Sequence, residues 1–466
     1  MQLWSLWWSM VAPLAGACSY RQSFLWLATA LAGLCVRPDL LGVSSLVRAL
    51  GLAAHCYERL LGHFHSAAVD VDALSRLWTR QVLRHLCPHR LNGRLVLLGD
   101  GLKVAKSGRQ MPAVKRLHQV SENNTKPESI LGHSIQAISL LTVAAGSFMA
   151  VPLTARIHEG VKFTNRDHRT LPQKFCTLID SLGLTESFVL IADAYYACTA
   201  VGTWALERGC TLISRLRRNA VAYEPAAPPT GPRRRGRPRL YGQKIKLRTL
   251  FDSAENWQSA PSPVYGEKDV TIRFLCRDLI WRPLRRLVRF VLVDHPNRGR
   301  CIFFSTDLTL APLDIITGYA LRFKIELSFK QALRILGAYS YHFWMSGMSK
   351  ISRKGSTQFL HRKSERYRRA VRRKLDAYHR HIQLGLIAQG LLQYLAIHSP
   401  RLVWNSFGSW LRTVRDGLPP SEMVTACALR NTLPEFLADS PADFTFTKFL
   451  RDRLDPNHCA PWKIAA

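Results

Sequence analysis

Arg94-Leu95-Val96-Leu97-Leu98-Gly99-Asp100 and Phe188-Val189-Leu190-Ile191-Ala192-Asp193 are two short apolar runs, each closed by an aspartate. A short run this continuously apolar reads as a strand buried on both faces. If the two strands lie parallel, their terminal carboxylates converge at one edge of the sheet. That edge is where open α/β sheets form their active sites. Asp100 and Asp193 are therefore the first candidate site residues.

Working outward, apolar residues at helical spacing mark residues 1–90 as helical, including two buried helices before residue 37. Ser19-Tyr20-Arg21-Gln22-Ser23 interrupts the first apolar stretch, so neither a signal peptide nor a membrane span is expected. Residues 135–143 and 148–157 read as two strands turning at Ala144-Ala145-Gly146-Ser147. Helices are expected over 170–182 and 195–208, and a strand over 211–216. A Pro- and Arg-rich linker, 224–242, follows, then strand signals at 270–275, 287–293 and 301–305. From Pro312 onward the pattern is helical, with an intensely basic stretch at 348–374 and an amphipathic helix at 382–397.

The chain has 466 residues, 47% of them hydrophobic, enough for a full core and several structural units. Lys and Arg number 65 against 32 Asp and Glu, a formal charge of +33. An excess this large argues against a small-molecule enzyme and for a polyanionic partner. Nucleic acid, double-stranded DNA included, or an anionic membrane surface fits this charge. The 11 cysteines are odd in number, widely spaced and lack a Cys-x-x-Cys pair, which argues against a zinc ribbon or a disulfide scaffold. They read as reduced residues of a cytoplasmic protein.

A third acid, Glu326, lies on a strong helical pattern. At about 100° per residue, Tyr319, Arg322, Lys330 and Leu333 fall within about 40° of it. Leu321, Ile325, Phe329, Ala332 and Leu336 form a separate apolar stripe. Three carboxylates suit Mg²⁺, which takes hard oxygen ligands, with Mn²⁺ as a possible substitute. Two such ions can activate a water or a 3′-hydroxyl and stabilise the leaving oxygen of a phosphodiester. Arg322 is suited to clamp a phosphate bidentately, and Tyr319 to hydrogen-bond it or stack on a base.

Gly-Asp100-Gly-Leu-Lys, Ile-Ala-Asp193-Ala-Tyr-Tyr and Tyr319-x-x-Arg322-x-x-x-Glu326 resemble the DDE transposases of bacterial insertion sequences. The resemblance is to the group whose last acid sits in a Tyr-Arg-Glu-Lys signature, and it runs from about residue 91 to residue 336. It implies an α/β fold with an RNase H-like catalytic core over 91–220 and 305–345. A β-rich insertion with its basic linker would cover 221–304. Helical regions would flank the core: 1–90, a candidate for binding DNA ends, and the basic 346–466. It further implies that Asp100, Asp193 and Glu326 hold two Mg²⁺ ions, that element ends are cut and joined to target DNA, and that a homodimer works at the nucleoid. The family's lysine would fall at Leu333. Lys330 or Arg334 could replace it, and helix geometry favours Lys330.

Arg235-Gly236-Arg237-Pro238-Arg239 resembles an AT-hook core, an extended segment for the A·T minor groove; the alternative is a solvated linker. The stretch 348–374 reads as a DNA-backbone track or a solvated face. Trp344 is expected in the core, with stacking on an unpaired base as the other reading. Two other functions use the same residues: an RNase H-like nuclease without strand transfer, and a catalytically silent repressor descended from a transposase.

Overall fold

The computed structural model describes residues 2–119, 127–228, 239–253, 256–352, 354–410, 412–415 and 417–457. In chain order its main elements begin with helices α1 (Gln2–Val11), α2 (Arg21–Val36) and α3 (Val71–His85). Strands β1 (Arg94–Ala105), β2 (Ser129–Ala144) and β3 (Ser147–Ile157) follow, then α4 (Leu171–Asp180), β4 (Phe188–Ala192), α5 (Thr199–Glu207) and β5 (Thr211–Leu216). Strands β6 (Thr271–Trp281), β7 (Arg286–His295) and β8 (Gly299–Ser305) precede α6 (Pro312–Leu321), α7 (Phe323–Gln331) and the long α8 (Glu365–His398). This is a mixed α/β architecture built on one large sheet.

The sheet runs β6-β7-β8-β5-β4-β1-β2, with β3 paired to β2 beyond it. β1 and β4 are parallel, as are β4 and β5. β1–β2, β2–β3 and β8–β5 are antiparallel. The β2–β3 hairpin turns at Ala145 and Gly146, both at positive φ (48° and 72°), which gives the backbone twist that joins adjacent antiparallel strands. The strands expected between 270 and 305 do form, and they extend this same sheet through the β8–β5 pairing.

Side-chain alternation assigns the two faces. Leu98, Ile191 and Ile213 share a row on one face, and Ile191 and Ile213 lie near Gly318 of α6. Leu97, Leu190 and Leu212 share the other face, where Phe175 of α4 packs against Gly99 and Leu190. Helices therefore cover both sides, and the strands read as unbroken apolar runs because neither face meets water.

α8 is one 34-residue helix, not a basic helix followed by a separate amphipathic one. Its basic start is exposed, whereas from Ile382 nearly every residue is buried. Most of the basic stretch before Glu365 is irregular chain. α8 lies along β3, where Gln383 donates to Leu153 O (2.8 Å) and Gln393 to Ala150 O (3.3 Å). The buried Arg156 of β3 pairs with Asp72 of α3 (3.0 Å) and donates to Gln383 (3.0 Å). That network ties the N-terminal helices, the sheet and α8 together, and every buried guanidinium hydrogen bond offsets part of the desolvation cost. No described helix is long and apolar enough to cross a membrane. The ten described cysteines are all free.

Candidate active site

β1 does not end at Asp100. It continues to Ala105, still paired with β2, and only its parallel pairing with β4 stops at Gly99↔Ala192. The acid therefore sits mid-strand, where the parallel neighbour departs and leaves room beside it. The apolar run ends there because only the first half of β1 is covered on both faces. Two residues beyond the shared row of Leu98 and Ile191 stand Asp100, within β1, and Asp193, one residue past the end of β4.

Asp193 is held by its own backbone. Its carbonyl accepts from Tyr196 N (2.9 Å), in the 3₁₀ turn Ala194–Tyr196, and from Ser214 Oγ (3.1 Å). The turn buries Tyr196, which stacks on Phe175 with ring centroids 4.1 Å apart and accepts from Gln136 Nε2 (3.1 Å). In the sequence Tyr196 stands only as part of the Asp193 motif, and Phe175 carries no role there. The absence of a side chain at Gly99 was their signal, because a Cβ there would lie 2.3 Å from Phe175 Cζ.

The helix carrying Glu326 is not the straight helix expected. α6 ends at Leu321, Arg322 forms a tight turn (Arg322 N to Tyr319 O, 3.1 Å), and α7 begins at Phe323. Past Gln331 the chain widens into a π-helix, Ala332–Leu336, and leaves it through Gly337 at φ 57°. Buried Gln389 of α8 pins α7 by donating to Ser328 O (3.0 Å).

Arg322 organises the site. Its guanidinium pairs with Asp100 Oδ2 (2.6 Å) through Nη1 and with Glu326 Oε1 (2.7 Å) through Nη2. Its Nε–H is buried without a hydrogen-bond partner among the described residues. Burial works against its charge, but Asp100, Tyr319, Glu326 and Asp193 together hold the guanidinium protonated. Asp100 is pushed up to about 6, chiefly by burial, although Arg322 and the Gly101 amide (2.7 Å) pull the other way. Burial also raises Tyr319 to about 12, so its hydroxyl stays protonated and points at Asp193 Oδ1 (3.5 Å).

Asp100, Asp193, Tyr319, Arg322 and Glu326 are thus gathered at one place. Lys330 is exposed and forms no ion pair among the described residues. Leu333 is half-buried against the core. The π-helix invalidates the uniform 100° count on which the comparison with Arg334 rested. Arg235 and Arg237 lie outside the described residues, and Arg239 is exposed. Trp344 is not in the core. It is 60% exposed, because Tyr341 and Phe343 take the inward positions of that extended segment.

All three acids offer hard oxygen donors, the right chemistry for a divalent cation. Among the described residues, no three His, Cys, Asp or Glu side chains close around one ion position. Arg322 lies between Asp100 and Glu326, where it takes a cation's electrostatic place.

A family described as DDE superfamily endonuclease matches residues 17–273, more than half of the chain. That span includes Asp100 and Asp193 and stops short of Glu326. The chain matches no curated protein. A cryo-EM structure of piggyBac transposase in a synaptic complex with hairpin DNA superposes over 94% of this chain and 77% of that one. The identity is 12% and the TM-score 0.36, too loose a likeness to bear on either fold or function.

Proposed function

The chain belongs to the DDE superfamily endonucleases, and from that premise we propose that it is a transposase of the insertion-sequence type. It binds both ends of a mobile element, cuts them by hydrolysis of phosphodiesters and joins the 3′ ends to target DNA. The observation that carries this reading is the placement of Asp100 on β1 next to Asp193, one residue past the end of the parallel β4, with Glu326 brought to Asp100 by a shared arginine. We read the five strands β3-β2-β1-β4-β5, three antiparallel and two parallel, as the RNase H-like core.

Asp100, Asp193 and Glu326 are the residues that would hold Mg²⁺, which when bound polarises the phosphoryl group and supplies a nucleophile at neutral pH. Arg322 holds Asp100 and Glu326 facing each other and keeps their repulsion low. Tyr319, protonated, orients Asp193. Lys330, exposed one turn beyond Glu326, is available to a DNA phosphate. The +33 charge supplies the long-range attraction for duplex DNA. Two ends are cut together by a homodimer at the nucleoid, and the helical 1–90 region contributes to end recognition.

A nuclease without strand transfer would use the same acids, so the test is joining. The protein is incubated with Mg²⁺, a supercoiled plasmid and a duplex carrying the DNA that flanks the gene. The reading predicts duplex ends covalently joined to plasmid. Cut duplex with no joined product would reduce the protein to a nuclease, and no cutting at all would remove the enzymatic reading.

A further inference from the structure

The row that holds the two acids has a third member. Leu98, Ile191 and Ile213 are paired across β1, β4 and β5. Two residues beyond each stand Asp100, Asp193 and Arg215. The ladders of β4 stop at Gly99↔Ala192 and Ala192↔Ser214, so Asp193 stands one residue past its strand and Arg215 one residue beyond Ser214 on β5; both act on the hydroxyl of Tyr319. On its other side Arg215 is paired with Phe303 of β8, whose ring packs on Tyr319 at 4.8 Å. The guanidinium is near enough to Tyr319 to favour the ionised phenol, although burial dominates. Tyr319 thus lies between two arginines, Arg322 on the side of Asp100 and Arg215 on the side of Asp193.

The two arginines differ in what they are free to do. Arg322 is 16% exposed and spends both terminal nitrogens on carboxylates. Arg215 is exposed and has no ion pair among the described residues. Exposed Arg217 and Arg218 follow it, and Arg218 lines a cleft with Arg248. An unpaired guanidinium beside two acids, at the head of a cationic path, suits an anion that must approach those acids. A planar fork fits phosphate bidentately.

We propose that Arg215 grips a DNA backbone phosphate beside the acids, a role the pairing of Arg322 leaves open. The proposal rests on the nuclease reading of the site, and it assigns the DNA path to the β5 side of the acid row.

Wild type, Arg215→Ala and Arg215→Lys are compared in two measurements. The first is binding of a fluorescein-labelled duplex of mixed sequence over a salt series. The second is Mg²⁺-dependent cleavage of a duplex carrying the DNA that flanks the gene. Removing one phosphate contact should lower the log–log salt slope by about one. Arg215→Ala should slow cleavage about ten- to a hundredfold, the weight of one charge-assisted contact. Arg215→Lys should restore the slope but only part of the cleavage rate, because a point charge lacks the fork. A wild-type slope with wild-type cleavage in Arg215→Ala overturns the proposal. If the alanine variant fails to fold, an Arg215→Lys variant that cuts at the wild-type rate overturns the bidentate grip. If the wild type binds but does not cut, the nuclease reading fails instead, and an unchanged slope in Arg215→Ala still refutes the contact.

Discussion

Gly99 shows how one absent side chain sets the geometry next to an acid. A Cβ there would meet Phe175 Cζ at 2.3 Å and Leu190 Cδ1 at 3.4 Å. Phe175 cannot yield easily, since it is fully buried and stacked on Tyr196. Gly99→Ala should therefore cost about 1–3 kcal/mol, as overpacking does in tight cores. It should also slow cleavage by shifting Asp100; urea denaturation and a cleavage assay check both. The acids themselves were legible in the sequence, because an apolar run that stops at a carboxylate states both burial and its end. Glu326 was legible through its spacing from Tyr319 and Arg322. Arg215 was not, because an exposed arginine on a strand acquires meaning only when the register sets it beside Asp193. Trp344 was misread for a related reason: which residues of an irregular segment point inward depends on Tyr341 and Phe343 competing for the same core.

At the level of elements, the strands and the β2–β3 hairpin followed from periodicity and turn chemistry. The hairpin also carries a local misfit. Ala145 holds φ at 48°, in a region that Asn or Gly occupies at less cost. It is exposed, so Ala145→Asn should stabilise the protein by about 0.5–1 kcal/mol, read as a higher denaturation midpoint with unchanged cleavage. The helices after residue 310 were less legible. Uniform helical counting assumed a straight helix through Arg322, whereas the arginine turns the chain to reach Asp100 and the π-helix follows. The basic stretch before α8 is irregular because it is anchored by tertiary bonds, such as Ile351 N to Arg109 O (2.9 Å), which no local pattern encodes. α8 tests its own packing at Gly385. A Cβ there would come within 2.4–2.5 Å of Ala338, backbone included. Gly385→Ala should cost about 1–3 kcal/mol, measured by thermal or urea unfolding.

For the whole molecule, the buried histidines set the acid limit of stability. Burial, reinforced by Arg380, lowers His63 to about 4. His133 and His381 are lowered to about 3, again mainly by burial, against small opposing backbone hydrogen bonds. His133 is satisfied as a neutral ring: Nε2–H donates to Pro112 O (2.9 Å) and Nδ1 accepts from Tyr341 (2.8 Å). Their folded pKa values lie below the unfolded value of 6.5, so the unfolded chain takes up protons first as the pH falls. The stability these rings contribute is complete above about 6.5 and is lost as the pH falls toward 3–4. Between pH 7 and pH 5 the loss should be about 2 kcal/mol for each ring, at about 1.36 kcal/mol per pH unit. Urea midpoints across that range check it, and His133→Gln should flatten the dependence.

The central claim is that Asp100, Asp193 and Glu326 form one hydrolytic site. The most direct measurement is Mg²⁺-dependent cleavage by Asp100→Asn, Asp193→Asn and Glu326→Gln, with duplex binding followed in parallel. Each amide keeps the shape of its acid and removes the charge a divalent cation needs. All three variants should bind DNA like the wild type and fail to cut it, whereas cleavage at the wild-type rate by any one of them would contradict the assignment of that residue.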